Sequence, residues 1–296
     1  MKRVLIAGAA VLAIASLAAA QAQPAGSSGT QTKPAAQAHP PAPAPLKGVK
    51  PPPQAKTPEE YAAFNTAFGS AQGPDLAAGE AAAREFQAKY PQSELASQLY
   101  TVVFFNSIQA NNADKAIDMG REALKLEPTN PVASVYTATV LAETTRETDI
   151  DAAEKFDEAV KDANAGLQNV DTSLTLAANV TQDQVDGIRA DLKARAYDAL
   201  GLIAFKRKDD AGAEKYLRQS LQATGGAGDP MTHLRLAVTL DRQGKYAEAL
   251  TEANKAAATA PPDQPVAKQA QAEVDRLKKL TGSGGTATPA PQTTPR

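Results

Sequence analysis

The sequence predicts an all-α protein: a solenoid of stacked helical hairpins between a proline-rich linker and a Gly/Thr/Pro tail. Three observations carry this. From Thr57 to Leu280 the chain is rich in Ala, Leu, Glu, Lys and Gln, all strong helix formers. Apolar residues there recur at helical spacing, as in Tyr246, Ala249, Leu250, Ala253 and Ala256, with no convincing alternating Val/Ile/Thr run. One set of spacings also recurs along the chain, the mark of a repeat array.

The segments follow in order. Met1–Ala22 opens with Lys2 and Arg3, continues uncharged from Val4 to Ala20, and offers two small-x-small sites at Ala18–Ala20 and Ala20–Ala22. That is the pattern of a cleaved export signal; an uncleaved anchor is the alternative, but the stretch is short and alanine-rich for a span. Residues 23–56 hold most of the ten prolines found between Pro24 and Pro58. Such a composition buries too little apolar surface to offset its ordering entropy, so it reads as a disordered, semi-stiff spacer. Thr57 then caps a helix, with Pro58 at the first helical position and Glu60 completing a capping box. Thr181 and Gln184 offer a second box, opening a long helix that runs toward Phe205. Residues 281–296 read as a disordered tail.

The repeat shows most clearly in two copies. Tyr197-x2-Leu200-Gly201 is followed by Ala213 and Leu217; His233-x2-Leu236-Ala237 is followed by Ala249 and Ala253. Tyr100, Val103, Phe104, Ala116, Ala123–Leu124 and Pro128 fit the same frame, and Lys155–Val160 matches the start of a second helix. This pattern resembles the tetratricopeptide repeat, a helix–turn–helix unit of about 34 residues. The copies are placed at 57–93, 97–130, 131–170, 194–229 and 230–263, with a solvating cap helix at 264–280. The Tyr90-Pro91-x-Ser93 ending of the first copy resembles exported bacterial envelope members. Residues 131–170 carry extra residues between their helices, 171–193 depart from the frame, and Gly225-Gly226-x-Gly228 replaces the usual ending of its copy.

Small residues at Ala116, Ala159, Ala213 and Ala249 let paired helices approach to about 8–10 Å. Large ones such as Tyr100 and Tyr197 fill the gap between neighbouring copies. One hairpin cannot bury its own apolar face, so the copies must stack.

Chemistry is sparse. The 296 residues include no Cys, no Trp and two His, with 31 Lys+Arg against 33 Asp+Glu. The absence of cysteine excludes disulfides, thiolate metal sites and Cys nucleophiles. Near-neutral charge argues against nucleic acid as the main partner. His39 lies in the spacer and His233 at a repeat packing position, neither with an evident acidic partner. The acidic run Glu147, Asp149, Asp151 fails as a calcium loop, because Glu154 and Val160 stand where Gly and Glu are needed. Lys206–Lys208 is a basic run of the kind that closes a helix. No phosphate-binding loop or Ser-x-x-Lys motif occurs. No metal site or cofactor is therefore expected, nor catalysis.

The resemblance implies a binding surface along the first helix of each copy. Carried over residue by residue, it comprises Gln98, Thr101, Phe105 and Gln109; Arg195, Asp198, Leu202 and Lys206; and Met231, Leu234, Val238 and Arg242. Phe105, Leu202, Leu234 and Val238 would make an apolar strip for a peptide, or alternatively pack against the insertion. The expectation is a non-enzymatic, exported scaffold or adaptor binding a protein or peptide, with no membrane span once the signal is removed. An enzyme or glycan-binding protein on a helical scaffold, and a self-assembling array, are the alternatives. Oligomeric state is not legible.

Overall fold

The computed structural model describes residues 46–176 and 180–282. The segment expected to be an export signal, most of the expected spacer, His39 and the tail from residue 283 lie outside the described residues. Eleven helices occur among the described residues: α1 (Pro58–Ala71), α2 (Leu76–Lys89), α3 (Ala96–Gln109), α4 (Ala113–Leu126), α5 (Pro131–Thr144), α6 (Ala152–Asn169), α7 (Gln182–Lys206), α8 (Asp210–Ala223), α9 (Pro230–Arg242), α10 (Tyr246–Thr259) and α11 (Pro265–Gly282). Two short strands, β1 (Val49–Lys50) and β2 (Leu174–Thr175), pair in parallel.

Local chemistry sets the helix starts. The Thr57 hydroxyl accepts from the Glu60 amide at 3.1 Å, while the Glu60 carboxylate reaches back to the Lys56 amide at 2.6 Å, one residue beyond the usual box. At α7 the box is reciprocal: Gln184 donates its amide to the Thr181 hydroxyl at 3.3 Å, and Thr181 donates to Gln184 Oε1 at 2.8 Å.

Three of the hairpin turns, α3/α4, α7/α8 and α9/α10, share one backbone solution. Asn111, Lys208 and Gly244 follow α3, α7 and α9 with φ of 55°, 61° and 75°. The next amide bonds back to a carbonyl in the last helical turn: Asn112 to Ser107, Asp209 to Ala204 and Lys245 to Leu240, at 2.8–2.9 Å. This left-handed exit satisfies orphan carbonyls and reverses the chain within three residues. Asn112 and Asp209 then cap the following helix through their side chains. Gly225 and Gly226 close α8 in the same way, with Gly226 donating to the Leu221 carbonyl at 2.8 Å. The Gly-rich ending is thus a helix stop.

The chain divides into two compact units. Of the described residues, unit 1 holds those within 46–132 and 168–189, and unit 2 those within 133–167 and 190–282. In unit 1, α1/α2 and α3/α4 are hairpins around Phe64, Phe86, Tyr100 and Phe104, all buried. Phe64 meets Phe86 edge-on at 5.9 Å, and the Tyr100 hydroxyl donates to Gln87 at 2.6 Å. Gly79 lets α2 come close: a Cβ there would stand 3.2 Å from Ala71 Cα and Val103 Cγ2. In unit 2, Leu217, Leu236, Ala237, Leu240, Ala249, Ala253, Val274 and Leu277 form one cluster of α8–α11, and α11 closes the unit as a cap. The four small positions Ala116, Ala159, Ala213 and Ala249 have no exposed surface.

Two segments differ from the sequence reading. Residues 46–56 are not a free spacer: β1 pairs with β2, and Lys47, Lys50 and Lys56 bond to unit 1. The cap helix also continues beyond residue 280, to Gly282.

Candidate functional site: the first-helix faces

In unit 2 the first helices of the hairpins are joined by side chains. Arg235 of α9 donates to Asp198 of α7 at 2.7 Å and to Glu143 of α5 at 3.1 Å. Asp198 also accepts from the Thr232 hydroxyl at 2.7 Å. The Arg235 side chain is only 14 % exposed. Burial works against its charge, but the Asp198 and Glu143 carboxylates outweigh that and hold the guanidinium above its ordinary pKa.

Lys206 ends α7 and points its ammonium at the closing carbonyls of α5, 2.5 Å from Ala142 O and 2.7 Å from Thr145 O. Burial pushes its pKa down. A cation at a helix C-terminus satisfies both the orphan carbonyls and the helix dipole. In unit 1 Asn106 plays the neutral version of this part, donating from α3 to the Ala71 carbonyl of α1 at 2.7 Å.

Arg195 lies over the Tyr136 ring at 5.2 Å and pairs with Asp191 at 2.8 Å. Arg242 stacks on Phe205 at 4.0 Å and reaches Asp210 at 3.4 Å.

The sequence-derived surface therefore sorts into three sets. Thr101 is buried and bonds its own helix at Ser97 O, while Leu202 and Leu234 are 6 % and 7 % exposed. Leu234 sits in a cluster with Ala256, Ala260, Val266 and Ala270, so α10 and α11 cover it; Met231 and Val238 pack against the same cluster. The apolar strip imagined for a peptide is, at Leu202 and Leu234, interior. Arg195, Asp198 and Lys206 are half-buried and engaged as above. Gln98 and Phe105 are half-buried, with Phe105 edge-on to Phe104 at 5.0 Å, and Gln109 and Arg242 are exposed.

Arg235, Glu143 and Thr232 were not singled out from sequence; the one signal was at Arg235, a charged residue one place from a frame position, Leu234. His233 also has a partner that sequence did not reveal. Its Nδ1 lies 2.6 Å from Glu252 Oε2 on α10, and Lys255 donates to the other oxygen at 2.9 Å. Burial raises the Glu252 pKa, but the bonds from His233 and Lys255 prevail and leave it lowered. The imidazole is 3 % exposed, so the pair is a hairpin clamp without substrate access. No group of three metal-ligating side chains occurs among the described residues. The acidic run near Asp149 is used locally: Asp149 accepts from the Arg146 amide, and Asp151 pairs with Lys155.

The arrangement is similar to solved helical-repeat structures. PilF of Pseudomonas aeruginosa superposes with a TM-score of 0.51 at 16 % identity, over 75 % of this chain and 84 % of that one. A thermophilic tetratricopeptide-repeat protein of Thermus thermophilus matches at 0.43 and 14 %, over 73 % and 98 % of the two chains. A tetratricopeptide-repeat protein of Parabacteroides merdae matches at 0.36 and 14 %, over 76 % and 88 %. The likeness to PilF is one of fold, an all-α array of helical hairpins. No protein-family model and no curated protein matches the sequence.

Proposed function

We propose that the chain is a non-enzymatic interaction scaffold that holds a protein or peptide partner on its first-helix faces. One observation carries this reading. The hairpin array spends its buried polar groups on structure: Arg235 with Asp198 and Glu143, Lys206 with α5, His233 with Glu252. Polar side chains such as Gln109 on α3 and Arg242 on α9 remain exposed on first helices. Contact is assigned to Gln98, Phe105 and Gln109 in unit 1, and to Met231, Val238 and Arg242 in unit 2. Thr101, Leu202 and Leu234 support these faces from inside. The export pattern of Met1–Ala22 supports an address in the cell envelope, and no described helix is long and apolar enough to cross a membrane.

Affinity co-purification from native envelope extract, full chain against a Gln109→Glu, Arg242→Glu variant, tests the reading. A partner retained by the former and lost by the variant at equal helicity supports it. Equal recovery by both proteins contradicts it. Fractionation of the tagged chain tests its address; a purely cytoplasmic pool contradicts export.

A further inference from the structure

Residues 46–56 contact unit 1 at three successive places that follow a second helix: Gln92 after α2, Glu127 and Thr129 after α4, and β2 after α6. The Lys56 ammonium donates to the Gln92 carbonyl at 2.7 Å. Lys50 donates to Thr129 Oγ1 at 2.9 Å and stands 3.8 Å from the Glu127 carboxylate. Val49 and Lys50 pair with Leu174 and Thr175. The Lys47 amide donates to Gln182 Oε1 at 3.1 Å, and its carbonyl accepts from Arg189.

Between those lysines, Gly48 has φ of +65°, and a Cβ there would overlap the Asp171 carbonyl and the Arg189 guanidinium. The position therefore selects glycine on two independent grounds, backbone hand and space. Pro51–Pro53 favour an extended chain beforehand, which lowers the entropy lost on docking. A two-residue strand pair has little stability of its own, so the side-chain contacts must hold it. The receiving side is packed: Val170 and Leu174 are buried.

We propose that this edge of unit 1 is a strand-binding site, occupied by the chain's own segment 46–56. The ligand class is an extended peptide with a glycine two residues before one lysine, as Gly48 stands before Lys50, and a second lysine beyond an intervening proline run, as Lys56 stands beyond Pro51–Pro53. Recognition combines strand addition with lysine pairing. The occupant also ties β2 and the start of α7 to the ends of α2 and α4 within unit 1.

The test uses the full chain, a Gly48→Val variant and a synthetic peptide of residues 46–56. Hydrogen exchange should show protection in 170–176 and 182–189 falling about tenfold or more in the variant, with 96–126 unchanged. The added peptide should bind the variant one to one, restore that protection, and fail to bind the wild-type chain. A Gly48→Val peptide should not bind. Unchanged protection in the variant overturns the proposal, as does a loss that the peptide cannot restore. If Gly48→Val does not fold, Lys50→Ala with Lys56→Ala serves instead. Its protection should fall in the same two stretches, and an unaltered pattern there overturns the proposal equally.

Discussion

Replacing Arg235 with methionine keeps much of the aliphatic stem and removes the cation that joins three helices of unit 2. Two charge-assisted bonds are lost, at 2.7 Å to Asp198 and 3.1 Å to Glu143. Each such bond contributes roughly 1.5–3 kcal/mol. Relief of the buried guanidinium's desolvation returns part of that, since replacing buried ion pairs by apolar groups is often mild. The carboxylates left behind are 21 % and 32 % exposed, so water recovers some of their solvation. The net expectation is a loss of about 2–4 kcal/mol. Urea unfolding of the full chain measures it, with hydrogen exchange locating the loss in α9 and the adjoining part of α7. The Asp198→Asn partner variant should couple to Arg235→Met by about 1–3 kcal/mol in a double-mutant cycle. A loss below about 1 kcal/mol, with additive variants, would mean the network behaves as a screened surface pair and refute the reasoning.

Other perturbations follow from single geometries. Lys208 holds φ of 61° where Gly244 holds 75°, so Lys208→Gly should stabilise by about 0.5–1 kcal/mol and Gly244→Ala destabilise by about 1 kcal/mol in thermal melts. Gly201→Ala places a Cβ 2.9 Å from Leu217 Cδ2 and should cost about 1–3 kcal/mol; combined with Leu217→Ala the two costs should be less than additive in urea unfolding. The Glu252 carboxyl is depressed in the fold, so its stabilisation is present above the ordinary value of 4.5 and is lost as pH falls through the folded value. The stability gap between wild type and Glu252→Gln should be flat from pH 5 to 6 and narrow below 4.5, as measured by urea unfolding across pH.

How far the sequence spoke depended on the range of each interaction. Caps at Thr57 and Thr181 and the small residues at Ala213 and Ala249 were legible, because they act within one helix or one hairpin. The joining of Arg235 to Asp198 and Glu143 was not, because it depends on how neighbouring helices rotate about their axes. His233 and Glu252 were separated by a turn and by an unknown helical phase. Leu234 read as surface because the frame gives its place within one copy, whereas its burial comes from α10 and α11. Residues 46–56 misled most. Their composition describes a chain that cannot fold alone, and their partners stand as far off as Gln182 and Arg189, which no local rule connects.

Site-specific photo-crosslinking in the native envelope tests the scaffold reading most directly. The reactive group goes at Gln109 and, separately, at Arg242, with a control at Lys255 on α10, whose side chain is 52 % exposed. Discrete adducts of the same partner at positions 109 and 242, and none at 255, are the predicted result. Equal adducts at all three positions, or none at any, would contradict partner binding on the first-helix faces.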